Sequence, residues 1–148
     1  MKKISVILKK KQPHFHTVSP QSSVSDALHQ MCCEQVDYLV VIDEDEHYLG
    51  LITEHEIASK VIAINKSLVK TKVKETMNQR LPFATSEDTV EKCMRLMQQH
   101  RVRYLPVFDG FCFKGVISSE DILEEAVNNR MEIFDAEIGK TGRFGVLN

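Results

Sequence analysis

Tryptophan is absent from the 148 residues, and only three tyrosines and seven phenylalanines are present. Few rings are therefore available on which unpaired bases could stack. No charge sign dominates either: 19 Lys+Arg stand against 21 Asp+Glu, a formal net charge of -2. Without a global positive field to hold a polyanion, nucleic acid is not an expected partner. Long apolar runs are missing, the longest near the middle being Tyr38-Leu39-Val40-Val41-Ile42, far short of the roughly 18 residues of a spanning helix; no membrane insertion is expected. The opening Met1-Lys2-Lys3-Ile4-Ser5-Val6-Ile7-Leu8 starts like a signal peptide, but its apolar stretch stops at Lys9-Lys10-Lys11, short of the roughly 7 to 15 residues such a segment needs. Retention of this segment and a cytosolic (cytoplasmic) location are expected. Cys32, Cys33, Cys93 and Cys112 form no CxxC pair and no zinc-ribbon spacing, and are read as reduced core residues. What is present, 43% hydrophobic and 27% charged residues, suits one ordinary soluble domain with a real core.

The chain repeats itself. A shift of 66 residues superposes Val24 on Val90, Met31 on Met97, Val36 on Val102, Tyr38 on Tyr104, Leu39 on Leu105, Val41 on Val107 and Asp43 on Asp109. One residue is then lost, and at a shift of 65 Gly50 meets Gly115, Thr53 meets Ser118, Glu56 meets Asp121 and Ile57 meets Ile122. The deletion falls between Asp43-Glu44-Asp45-Glu46 and Asp109-Gly110, turn residues whose loss shortens a hairpin loop without changing its strands.

Each copy reads as β-α-β-β-α. In the first, His14 to Val18 predicts a strand, Ser22 or Ser23 a cap, and Val24, Ala27, Leu28 and Met31 one apolar helical face. Tyr38 to Ile42 and Tyr48 to Ile52 read as a hairpin, and a helix from Thr53 places Ile57, Ala58, Val61 and Ile62 on one side. The second copy follows with Phe83 to Thr85, then Val90, Cys93, Met94 and Met97, then Tyr104 to Phe108, Cys112 to Ile117, and Ile122, Leu123, Ala126 and Val127. The expected organisation is a first repeat over 1–66, a connector and second repeat over 67–134, and an irregular tail over 135–148, where Gly139, Gly142 and Gly145 recur.

Two such units, each closing on Gly-apolar-Ile-[Thr/Ser]-x-x-acid, resemble a tandem pair of cystathionine β-synthase (CBS) domains, the Bateman module. The resemblance spans roughly Ser5 to Arg130. It rests on the hairpins with Val-Ile-Asp and Val-Phe-Asp at their turns, on Leu105-Pro106-Val107, and on Gly115-Val116-Ile117-Ser118-Ser119-Glu120-Asp121. It implies an α+β fold in which two β-α-β-β-α repeats pack about a pseudo-twofold axis, with clefts between them that bind an adenosine-containing ligand: AMP, ADP, ATP or a related adenosyl compound. Such modules usually regulate an attached enzyme, channel or transporter. With no segment of that size here, the expectation is a stand-alone regulatory protein in signal transduction, a homodimer that signals to an unknown protein effector.

A helix that begins directly after a strand offers free N–H groups and a positive dipole end, and a hydroxyl at its cap adds a donor for a ribose or phosphate oxygen. Ser118 and Thr53 hold those posts. A carboxylate one turn on, Asp121 or Glu56, can accept from both ribose hydroxyls. The same residues also spell capping boxes, closer in Thr53-x-x-Glu56 and looser in Ser118-x-x-Asp121, that need no ligand. Within the family pattern Ser118 and Asp121 map onto nucleotide contacts. The resemblance implies an adenine slot lined in the second copy by Phe83, Ala84, Thr85, Tyr104, Leu105 and Pro106, with Arg103 reaching a phosphate. The resemblance implies a counterpart in the first copy from Thr17, Val18, Tyr38, Val40, Thr53 and Glu56, with Leu39 and His16 beside them; Asp37 stands there in place of Arg103 and would repel an anion, so this site is expected to be the weaker.

Other chemistry lacks a pattern. His14 and His16 share a strand face, but no third ligand has fixed spacing to them, so no metal site is expected. No Ser-His-Asp or Cys-His order is recognisable; no enzyme activity and no required cofactor are expected. The competing reading is a ligand-free dimeric interaction scaffold.

Overall fold

The structure is a computed structural model that describes residues 2–11 and 15–129. In chain order its elements are α1 (Ile4–Lys10), β1 (Thr17–Val18), α2 (Val24–Glu34), β2 (Tyr38–Ile42), β3 (Tyr48–Thr53), α3 (Glu54–Ile57), which runs on as a π-helical turn over Ala58–Ile62, α4 (Val73–Thr76), α5 (Val90–His100), β4 (Tyr104–Asp109) and β5 (Cys112–Ser118). A last helix, α6, covers residues 119–129. The described residues fall into two compact units, one of residues 15–81 and one of residues 2–11 with 82–129. Those limits correct the expected boundaries. The residues before Gln12 leave the first repeat for the second, and the connector joins the first. The expected tail and His14 lie outside the described residues.

In the first unit β1 lies parallel to β2, and β2 antiparallel to β3. Side chains alternate along β2: Leu39 and Val41 enter a core with Val18, Val24, Ala27, Met31, Ile52, Ile57 and Val61. Val40 and its cross-strand partner Leu51 are buried outside that core, on the opposite face. Ser23 caps α2 by accepting from the Asp26 N–H at 3.0 Å, and the helix stops where Gln35 turns left-handed at φ 57°. The β1 strand is shorter than the sequence suggested.

The second unit repeats the hairpin. Tyr104 faces Ser118, Leu105 faces Ile117 and Pro106 faces Val116, as Tyr38 faces Thr53, Leu39 faces Ile52 and Val40 faces Leu51 in the first. Both ladders slip at the same place, after Val41 and after Val107. The expected strand Phe83–Thr85 is a single bridge, in which the Ala84 N–H donates to the Pro106 carbonyl at 3.0 Å and the Phe108 N–H to the Ala84 carbonyl at 2.9 Å. Leu105, Val107, Ile117, Ile122, Cys93 and Met97 form the core, completed by Ile4 and Ile7 from α1. Burying one such aliphatic side chain is worth about 1.5–3 kcal/mol.

The reassigned segments have a common cause. The Ile4 N–H donates to the Asp88 carbonyl at 2.9 Å and the Val90 N–H to the Lys2 carbonyl at 3.0 Å. In the first unit the Val73 N–H donates to the Ser22 carbonyl at 2.8 Å and the Val24 N–H to the Thr71 carbonyl at 2.9 Å. Lys2-Lys3-Ile4 and Thr71-Lys72-Val73 thus do the same work, each bridging to the cap of a repeat's first helix. After α4 the connector bridges β3 at Leu51 and Asn78. A Cβ on Gly50 would stand 2.7 Å from the Asn78 carbonyl oxygen, so this close approach requires glycine.

Three expectations about burial are corrected. Ile62 and Ala58 are exposed while Ile57 and Val61 are buried, because the switch to π winding at Ala58, where the Ala63 N–H reaches back to the Ala58 carbonyl, widens the period. Leu123, Ala126 and Val127 on α6 and Met94 on α5 are also exposed, and Glu125 is buried instead. Of the cysteines only Cys93 is core; Cys32, Cys33 and Cys112 are exposed. Burial pushes the Cys93 thiol up to about 11, with Asp88 adding to the rise, so it is no thiolate at neutral pH.

Candidate functional site

One end of the second hairpin gathers several of the anticipated groups. Arg103 directly precedes β4, Tyr104 opens it, and Ser118, across from Tyr104, closes β5. The chain then turns at once into α6, whose first N–H, from Ser119, donates to the Arg103 carbonyl at 2.8 Å. The Asp121 N–H donates to Ser118 Oγ at 3.1 Å and the Ser118 N–H to Asp121 Oδ2 at 2.9 Å. This is a reciprocal capping box, and it holds the carboxylate at the helix mouth without a ligand. Arg103 is exposed and forms no ion pair among the described residues.

The adenine-slot residues divide. Ala84 and Leu105 point into the apolar core and cannot line a slot on the other sheet face. Pro106 is buried outside that cluster, Tyr104 and Thr85 are half-buried, and Phe83 is exposed with its ring edge-on to Phe108 at 6.0 Å. The Thr85 N–H donates to Asp88 Oδ2 at 2.9 Å, a turn that caps the approach to α5.

The first repeat is built alike but closes differently. The Glu54 N–H donates to the Asp37 carbonyl at 3.2 Å, as Ser119 does to Arg103. The Glu56 N–H donates to Thr53 Oγ1 at 3.4 Å, and Thr53 Oγ1 donates to Glu56 Oε2 at 3.0 Å. The longer glutamate folds onto the hydroxyl instead of reaching the cap N–H, so the full box belongs to Ser118 and Asp121, the reverse of the expected order. Thr53 and Glu56 are both buried. Thr17 is half-buried opposite Val40, Val18 is core, and Tyr38 sits edge-on to His16 at 6.5 Å.

Sequence reasoning missed the basic lining of the second repeat. Lys11 Nζ donates to Asp121 Oδ2 at 2.8 Å and to the Val116 carbonyl at 2.7 Å. One turn along α6, Glu125 accepts from Lys2 and, at 2.9 Å, from Lys10; Lys2 also donates to Asn129 at 2.9 Å. A cavity of about 120 Å3 opens among these groups, lined by Ile7, Lys10, Lys11, Asp121, Glu124 and Glu125 with Asn128. The only signal for them was the run Lys9-Lys10-Lys11 following an apolar stretch. Asp43, Asp45 and His47 also escaped notice; their ligand atoms lie within 4.8 Å of one another. The Asp43 carboxylate there accepts from the Asp45 and His47 N–H groups at 2.9 Å, a turn-forming role.

Glu125 is only 4% exposed yet lies outside the apolar cluster; its shield is α1 with the lysines that pair with it, not core depth. The Lys2 and then the Lys10 ammonium hold its carboxyl below the ordinary value of 4.5, against the opposing effect of burial. A depressed folded-state value contributes stability that is complete above 4.5 and is lost as pH falls through the folded value. Urea unfolding as a function of pH is expected to show this acid limb, with a shallower slope in a Lys2→Ala, Lys10→Ala double variant. An unchanged slope would deny the pairing.

A family model described as the CBS domain matches residues 10–63 and 73–128. The chain is similar to the mitochondrial CBS domain-containing protein CBSX3 of Arabidopsis thaliana, 32% identical over 114 residues that cover 74% of this chain and 55% of that protein. It is also similar to a homoserine O-acetyltransferase of Methanobrevibacter ruminantium, 31% identical over 107 residues that cover 72% of this chain and 21% of the enzyme. An uncharacterized 33.4 kDa protein of Thermofilum pendens is 27% identical over 116 residues, 78% of this chain and 37% of that protein. The chain thus spans between 21% and 55% of the length of these relatives. Among solved structures, a protein with CBS domains from Burkholderia ambifaria superposes with a TM-score of 0.81 at 32% identity, over 86% of this chain and 95% of that one. A hexameric CBS-CP12 protein from bloom-forming cyanobacteria does so with a TM-score of 0.73 at 25% identity, over 94% and 86%.

Proposed function

For a chain that belongs to the CBS-domain family and carries the domain twice, we propose a regulatory module that binds an adenosine-containing ligand at the strand-to-helix mouth of its second repeat and passes the change to a partner protein. The observation that carries this reading is the convergence of Arg103, Tyr104, Ser118 and Asp121 on one end of the β4–β5 hairpin. A hydroxyl and a carboxylate held by the first turn of a helix suit a ribose, and the guanidinium of Arg103, which forms no ion pair among the described residues, suits a phosphate. Tyr104 and Pro106 supply apolar surface on the sheet face away from the core. Binding biases such a module only by the difference in ligand affinity between its states. No catalytic step is assigned. Among the described residues no helix is long and apolar enough to cross a membrane, and the cytoplasm is the proposed location.

A thermal-shift screen of AMP, ADP, ATP, S-adenosylmethionine, NAD and cyclic di-AMP tests the reading. At least one is expected to raise the melting temperature, since a ligand selective for the folded state adds about 2.7 kcal/mol at 100 times its dissociation constant. Flat curves for all six at millimolar concentration would favour the second reading, a ligand-free scaffold. That alternative draws support from Asp121, whose Oδ2 is satisfied by Ser118 and Lys11 alone, and from Glu56, already folded onto Thr53.

Either reading includes a homodimer. Ile62 is 56% exposed, and Leu123 and Val127 are 64% and 49% exposed on one helix, apolar surface that self-association would cover. Light scattering at tens of micromolar is expected to give twice the chain mass; 16.9 kDa would reject the dimer.

A further inference from the structure

The two repeats secure the same backbone position by different means. In the first, the Leu51 carbonyl accepts from the Asn78 N–H at 2.7 Å, within a backbone bridge. The equivalent carbonyl in the second repeat, Val116, accepts instead from the Lys11 side chain at 2.7 Å. The same ammonium sits 2.8 Å from Asp121 Oδ2. The pair is partly shielded, with 28% and 20% of the two side chains exposed. A lysine stem has rotamers to spare, whereas a backbone bridge moves only with its segment.

A two-oxygen grip on both ribose hydroxyls uses Oδ1 and Oδ2 of Asp121, and Oδ2 already accepts from Lys11 and from the Ser118 N–H, which together occupy its two lone pairs. A neutral nucleoside that takes this carboxylate leaves a half-buried ammonium without its counter-charge, which opposes binding. A nucleotide brings the replacement: its phosphate takes the ammonium as its ribose takes the carboxylate, so charge pairing is exchanged and not lost. Resting on the adenosine-ligand reading above, we propose that Lys11 is a specificity-determining residue of the second repeat, a resident cation that admits phosphorylated adenosine ligands and disfavours the bare nucleoside. Since Lys11 directly follows α1, ligand entry is also felt by the segment that completes this unit's core.

The test is titration calorimetry of AMP, ATP and adenosine with the full chain, as wild type, Lys11→Met and Lys11→Arg. Wild type is expected to prefer the nucleotide by tenfold or more. Lys11→Met keeps the apolar stem and loses the charge; its preference is expected to fall about fivefold or more, with adenosine binding tighter in absolute terms and the nucleotide weaker. Lys11→Arg restores the preference. Amide hydrogen exchange across Val90–His100, the α5 helix of the unit that contains Lys11, reports that the variants remain folded. Nucleotide binding with the preference unchanged in Lys11→Met overturns this inference alone, as does binding restricted to ligands without phosphate. Failure of every adenosine compound to bind wild type overturns the functional reading and this inference with it.

Discussion

Replacing Asp121 with alanine is expected to weaken the adenosine ligand tenfold to a hundredfold, while Glu56→Ala leaves affinity nearly unchanged. Losing a charge-assisted contact to ribose costs about 1.5–3 kcal/mol, which is that range of affinity. The asymmetry follows from how each acid is held. Asp121 is short, fixed by the Ser118 N–H at 2.9 Å, and 20% of its side chain remains exposed to an incoming hydroxyl. Glu56 is 6% exposed and its Oε2 is committed to Thr53 Oγ1 at 3.0 Å; to serve a ribose it must break that bond and lose more rotamer freedom. Asp37 occupies the place where Arg103 stands in the other repeat and would repel a phosphate. Calorimetry of the wild type should accordingly give about one tight ligand per chain. Because alanine at Asp121 also removes the partner of Lys11, the Lys11→Met variant serves as the control that separates loss of the ribose contact from loss of the ion pair. Greater damage from Glu56→Ala would assign the working site to the first repeat.

What could be read in advance was whatever the chain says locally and says twice. The hairpins, a cap at Ser22 or Ser23 and the faces with Ala27 and Met31 depend on neighbours within a few residues, and the repeat doubled the hairpin and helix-face signals. The hidden parts depend on long-range packing. Lys2-Lys3-Ile4 shares one identity, Lys3 with Lys72, with the connector segment that plays its role, too little to register as a repeat. Lys11 and Asp121 are 110 positions apart, so nothing local announces their pairing. Glu125 sits one position from the apolar pair Ala126-Val127 and reads as solvent-facing; only α1, laid against that side of α6, turns it into a buried acid. The capping motifs were legible, but which acid would reach the backbone and which the hydroxyl was decided by one methylene.

Ile4→Ala is expected to destabilise the second unit by about 2–4 kcal/mol, the usual cost when a buried aliphatic side chain is cut to a methyl and its cavity collapses only in part. Ile4 has no exposed surface and packs with Ala84, Cys93, Leu105, Val107, Ile117 and Ile122, so the loss falls on the cluster that supports the hairpin and both of its helices. Relaxation is restricted, because the Ile4 N–H is tied to the Asp88 carbonyl and the Ser5 N–H to the Ser86 carbonyl, which keeps α1 from sliding into the gap. Val69→Ala, at a side chain 73% exposed, provides the contrast and should stay within about 0.5 kcal/mol of wild type. Urea unfolding measures both. A cost below about 1 kcal/mol at Ile4 would mean that α1 contributes little to this core. A full cost would show that the segment carrying Lys11 is a structural part of the second repeat, so that whatever moves Lys11 acts on the stability of the unit proposed to bind the ligand.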